Sequence, residues 1–91
     1  MIEIPQEATF PERVRWARFR RDGDRSILTD VVVQVGPQLV EIRAAEGSYK
    51  VQRYRFYRKA EWVPEGEPET WTEARVELLL GLAGPRKPDL D

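Results

Sequence analysis

The stretch Ser26-Ile27-Leu28-Thr29-Asp30-Val31-Val32-Val33-Gln34-Val35, running into Gly36-Pro37, decides the fold class. Ile27, Val31, Val33 and Val35 share one side of an extended chain, and Asp30 and Gln34 share the other, which is the period-two pattern of a half-buried strand. Gly36-Pro37 turns the chain, because a proline cannot donate a ladder hydrogen bond. Alternation resumes after the turn, with Val40, Ile42 and Ala44 inward and Glu41 and Arg43 outward. An antiparallel hairpin over 26–35 and 38–45 is the nucleus of the predicted fold.

The flanking segments extend it. Upstream, a strand over about 10–21 ends at Asp22-Gly23-Asp24, where Asp-Gly supplies the positive backbone angles of a tight hairpin. Downstream, Glu46-Gly47 turns into a fourth strand over about 48–59. In the first and fourth strands the alternation slips: Val14 and Trp16 oppose Ala17 and Phe19, and Tyr49 and Val51 oppose Tyr54 and Phe56. One-residue bulges near Trp16 and near Gln52 or Arg53 would restore the parity and bend the sheet. Alternatively, both faces of these strands are partly covered.

Pro64, Gly66 and Pro68 mark a loop holding Trp62. A helix over about 70–83 follows, its start set by Thr70-Trp71-Thr72-Glu73 at capping-box spacing and its end by Gly84-Pro85. Trp71, Ala74, Leu78 and Leu82 form its predicted apolar stripe, widened by Val76, Leu79 and Leu80, while Glu73 and Glu77 face water. The expectation is an α+β fold: a four-stranded bent antiparallel meander packed against one C-terminal helix. Closure into a small barrel fits the same string. At 91 residues the chain supports one core, expected over about 10–84 of a single domain, with a flexible tail at 85–91.

Composition excludes more than it identifies. There is no Cys and no His, which removes disulfides, thiolate or imidazole metal ligands and Ser-His or Cys-His nucleophiles. No enzymatic activity and no cofactor are expected. The longest apolar runs, Val31-Val32-Val33 and Leu78-Leu79-Leu80, fall far short of the ~20 residues of a spanning helix. The N-terminal Met1-Ile2-Glu3-Ile4-Pro5 is acidic where a signal peptide would be basic. A cytoplasmic protein that does not engage a membrane is the expectation.

A net charge of -1 hides segregation along the chain. Residues 10–25 carry +3 and residues 48–60 carry +5, against -5 over residues 61–91. In the fourth strand arginines interleave with aromatics, Arg53-Tyr54-Arg55-Phe56-Tyr57-Arg58. Single-stranded nucleic acid is held by that combination, a cationic track for phosphates and aromatic faces for bases. The candidate contact residues are therefore Arg13, Arg15, Lys50, Arg53, Arg55, Tyr57 and Arg58, with Tyr57 stacking and with single-stranded nucleic acid or RNA as partner. A plain structural reading competes: an aromatic core face beside a solvated arginine face, with Arg13 and Arg15 pairing to Glu41 or Glu46 across the sheet. A different functional class is a protein-interaction or structural module, a homo-oligomer or accessory subunit whose basic strands meet an acidic helix side. Glu65, Glu67 and Glu69 form a weak candidate for a hard cation, since acidic loops of this kind are usually just solvated.

Overall fold

The computed structural model describes residues 1–5, 7–57 and 61–81. Among the described residues seven strands and one helix follow in chain order: β1 (Glu3–Ile4), β2 (Val14–Asp22), β3 (Arg25–Val35), β4 (Gln38–Ala45), β5 (Ser48–Tyr57), β6 (Glu61–Pro64), β7 (Glu69–Trp71) and α1 (Glu73–Leu80). All pairings are antiparallel. β2, β3, β4 and β5 form the predicted meander, joined by two-residue turns in which Gly23, Gly36 and Gly47 take positive φ. Such turns match the right-handed twist of the strands they join.

Three short strands complete the sheet beyond the predicted four. β1 pairs with β3 at Glu3↔Ile27 and Ile4↔Ser26, beside the part of β3 that β4 does not reach. β6 and β7 share the outer side of β5, at Tyr54–Tyr57 and Tyr49–Val51 respectively. The loop between them spans the gap, with the Glu65 amide donating to the Arg53 carbonyl at 2.9 Å. Of the segment read as a loop around Trp62, Glu61–Pro64 is thus strand, while 65–68 remains a loop. The sheet stays open: β2 lies at one edge, and β6 and β7 at the other, so the barrel alternative is not realised.

Two register shifts occur between β2 and β3. Arg15 is the extra residue between the pairs Val14↔Val33 and Trp16↔Val32, which is the slip expected near Trp16. Thr29 is extra between Arg18↔Asp30 and Phe19↔Leu28, and its hydroxyl donates to the Arg18 carbonyl at 3.0 Å. This second bulge puts Leu28, together with Val31 and Val33, into the core cluster. The bulge expected near Gln52 or Arg53 is absent, since β4 and β5 pair without interruption from Ala45↔Ser48 to Gln38↔Arg55. Tyr49 and Val51 accordingly face the core, and Tyr54 and Phe56 the opposite side.

The core lies between α1 and one sheet face. Val31, Val33, Val40, Ile42, Tyr49, Val51 and Trp71 come from the sheet, Val76 and Leu80 from α1. Ile2 and Ile4 join them, so the core begins well before residue 10. The Ile2 amide donates to the buried Tyr49 hydroxyl at 3.2 Å, and burial is the main reason that this phenol is pushed above its ordinary value.

The helix starts later than predicted. Thr70 belongs to β7, where Trp71 pairs with Tyr49, and Thr72 is the N-cap, its hydroxyl accepting from the Arg75 amide at 3.2 Å. Gly81, at φ 76, ends α1 in the left-handed conformation that a side chain would strain. Its phase differs as well: Val76 and Leu80 are buried, Leu79 half-buried, and Leu78, expected in the stripe, is 68% exposed. Ala74 is exposed too, and Glu73 and Glu77 are partly covered. No described helix is long and apolar enough to cross a membrane. The predicted strand end at 58–59, helix end at 82–83 and tail at 85–91 lie outside the described residues.

Candidate binding surfaces

Register divides the sequence-predicted site between two faces. On β5, Arg53 pairs with Val40 and Val51 with Ile42, so Arg53 and Arg55 continue the core-facing row. Lys50 pairs with Arg43 and belongs to the opposite, open face. Arg15 sits at the β2 bulge, and Arg13 directly precedes β2. Tyr57 is 60% exposed at the end of β5. Arg58 lies outside the described residues. The seven candidates therefore do not make one continuous track.

On the helix side, a polar network occupies the row beyond the core. The Arg53 Nε donates to Glu69 Oε2 at 2.7 Å, and its Nη1 to Gln38 Oε1 at 3.2 Å. The Gln38 amide donates to Glu65 Oε1 at 2.7 Å, and Arg55 Nη2 lies 2.9 Å from Glu65 Oε2. The Trp71 indole N–H completes the set, donating to Glu69 Oε1 at 2.9 Å. Both carboxyls are thereby held below the ordinary glutamate value, Glu69 chiefly by the Arg53 hydrogen bond and Glu65 chiefly by Gln38, then Arg55. Two of the strongest sequence candidates thus already carry carboxylate partners. The same pairing takes up Glu65 and Glu69, and no cluster of three metal-holding side chains occurs among the described residues.

Next to this network a cleft of about 390 Å³ opens between the last turn of α1 and the sheet. Arg13, Arg53 and Arg75 line it with Trp71, Val35, Leu78 and Leu79, and no acidic residue is on its wall among the described residues. The helix end places Arg13, and the Trp71 ring is shared by Arg75 and Arg53. Arg13 donates through Nε and Nη2 to the Leu79 carbonyl, at 3.1 and 2.8 Å, satisfying a carbonyl that the helix end leaves unpaired. The last turn of α1 has no basic residue of its own, so Arg13 also supplies the positive charge that a helix C-terminus favours. The Arg75 guanidinium lies 3.9 Å from the centroid of the Trp71 ring, and that of Arg53 5.8 Å from it. The competing reading paired Arg13 and Arg15 with Glu41 or Glu46; Arg13 instead meets the helix, and Glu41 takes Arg43.

The open face is balanced rather than basic. Asp30 sits between Arg43 at 3.4 Å and Arg18 at 3.8 Å, and Glu41 takes Arg43 at 3.1 Å and the Tyr54 hydroxyl at 3.0 Å. Tyr54 is pushed above its ordinary value, by burial first and by this carboxylate second. Exposed pairs of this kind contribute at most about 1 kcal/mol each. At the far end, Phe56 and Trp62 face each other across β5 and β6 edge-on, with ring centroids 5.0 Å apart.

Sequence reasoning missed Arg75, Trp71, Val35 and Leu78 as a group. The available signal was the spacing of Trp71 and Arg75, four residues apart around the helix start, which lets a guanidinium fold back over an indole. Compared with known protein families, curated protein sequences and solved structures, the chain matches none.

Proposed function

We propose that this chain is a non-enzymatic binding module whose cleft between α1 and the sheet receives an acidic, partly apolar segment of a partner protein. The observation that carries the reading is the convergence of Arg13 and Arg75, with Arg53 restrained by Glu69, on the apolar walls of Val35 and Leu78, without a carboxylate among the described lining residues. Guanidinium groups offer planar paired donors that suit carboxylates. Leu78, so exposed on a chain with a buried core, offers an apolar contact at the rim.

Single-stranded nucleic acid is the second reading, supported by Tyr57, exposed on the same strand and row as Arg55. It ranks lower because Arg53 and Arg55 are engaged by Glu69 and Glu65, and because Trp71 is buried and covered by Arg75 rather than free to stack. A phosphate track with base platforms needs unpaired cations in series beside exposed aromatics.

Fluorescence anisotropy with three labelled probes separates the readings: a peptide alternating aspartate and leucine, its lysine–leucine counterpart, and oligo(dT). The acidic peptide is expected to bind, weakening about tenfold or more, a loss of about 1.4 kcal/mol, in Arg75→Glu. Absence of binding, or equal binding by Arg75→Glu, removes the cleft reading. Binding of oligo(dT) alone installs the second.

A further inference from the structure

The two edges of the sheet are built differently. On the β5 side the edge is broken into β6 and β7, four and three residues long, with Pro64 and Pro68 in or beside them. Prolines and short strands are the usual means of blunting an edge. On the other side β2 runs for nine residues without a proline, and among the described strands it pairs with β3 alone. One row of its backbone groups is left for another strand.

The charge of β2 says which strand. It carries Arg15, Arg18, Arg20 and Arg21 against a single acid, Asp22, at its end. Among the described residues Arg15 and Arg21 have no carboxylate partner, and Arg20 reaches only the Met1 sulfur. A second copy of the chain fits poorly: antiparallel self-pairing centred on Arg18 would set Arg18 against Arg18 and Arg15 against Arg21, and like charges directly opposite are destabilising. An acidic strand meets the same row favourably. Trp16 and Phe19, 45% and 42% exposed, lie on opposite faces of the strand, Trp16 opposite Val32 and Phe19 opposite Leu28, so an added strand finds an apolar neighbour on either face.

We propose that the outer edge of β2 is a binding site that accepts an acidic extended segment of a partner protein as an additional antiparallel or parallel strand of the sheet. Main-chain hydrogen bonds supply the affinity of such strand addition and the side-chain rows its selectivity. The site is separate from the cleft and stands without it.

The test is hydrogen exchange of the backbone amides, read residue by residue, with and without a capped peptide of alternating glutamate and valine about eight residues long. The β2 amides that exchange fast in the free protein are expected to slow about tenfold or more at saturating peptide, in the native chain and equally in Arg75→Glu. In Arg15→Glu/Arg21→Glu, which changes two exposed side chains outside the core, that slowing is lost and a lysine–valine peptide gains it. The proposal is overturned by unchanged β2 exchange, by equal slowing with the lysine–valine peptide in the native chain, or by slowing that appears without peptide as protein concentration rises, which would mark a second copy as the occupant.

Discussion

Replacing Glu69 with glutamine should move stability and binding in opposite directions. Glu69 holds Arg53 through one oxygen and the Trp71 indole through the other. A glutamine side chain can still accept from Trp71 but then presents an NH₂ group to the guanidinium, so the Arg53 contact is lost. The pair is partly exposed, 28% for the Arg53 side chain and 38% for Glu69, which limits its worth to about 0.5–1 kcal/mol. For a domain of this size that corresponds to a fall in Tm of about 2–8 °C. Binding responds oppositely, because Arg53 lines the cleft and loses its counter-charge. One additional unit of unneutralised positive charge about 6 Å from a bound carboxylate is worth roughly 0.7–1.4 kcal/mol at an effective dielectric of about 40–80, or about three- to tenfold in affinity. Urea denaturation measures the first effect, and anisotropy with the aspartate–leucine peptide the second. If Glu69→Gln weakened both, the carboxylate would be part of the binding surface rather than a restraint on it, and the reasoning would fail.

Two further outcomes follow from the geometry. Glu65 and Glu69 have folded-state values below 4.5, so their pairs stabilise the fold fully above that pH and cease to do so as pH falls through the lowered values. Urea midpoints should therefore drop from about pH 4.5 downward, and less so in Glu65→Gln/Glu69→Gln; an identical slope in that variant would assign the acid sensitivity to other groups. Ile42→Ala, at a position with no exposure, should cost about 2–4 kcal/mol, whereas Leu78→Ala should stay within about 0.5 kcal/mol. The reverse order in denaturation experiments would restore the helix phase read from the sequence and displace the observed one.

The meander was legible because its signals are local. Asp22-Gly23, Gly36-Pro37 and Glu46-Gly47 fix the turns, and alternation from Val31 to Val33 and from Val40 to Ile42 fixes which way the strands face, whereas Val35 and Ala44, read as inward, are exposed. β6 and β7 were not legible, since strands of four and three residues interrupted by proline show no period and exist through their pairing with β5. The helix start was misplaced for a related reason. Thr70 has the spacing of a cap, but pairing of Trp71 with Tyr49 holds that backbone extended, and the cap passes to Thr72. A stripe drawn through Trp71 then has the wrong phase, which is why Leu78 was assigned inward. For the binding residues, the charge density of β5 was readable while its neutralisation was not: Glu65 and Glu69 reach Arg55 and Arg53 from a loop and a strand that only tertiary structure brings alongside. Arg75, which no sequence pattern singled out, lines the cleft and lies over Trp71.

The way in which Ile2 enters the core bears on how the chain folds. Its amide reaches the Tyr49 hydroxyl, its carbonyl accepts from the Leu28 amide at 2.9 Å, and the neighbouring Met1 ammonium pairs with Glu73. These contacts span 47 and 72 residues of sequence, whereas the meander is built from successive hairpins. Local hairpins close quickly and distant contacts slowly, because the intervening chain must first give up its freedom. The strands can thus pair early while their apolar face stays uncovered until residues from both sides of the meander arrive together. During synthesis Ile2 has to wait for Tyr49 and Met1 for Glu73, leaving the valine-rich face of β3 and β4 uncovered in the interval, a stage open to misassociation.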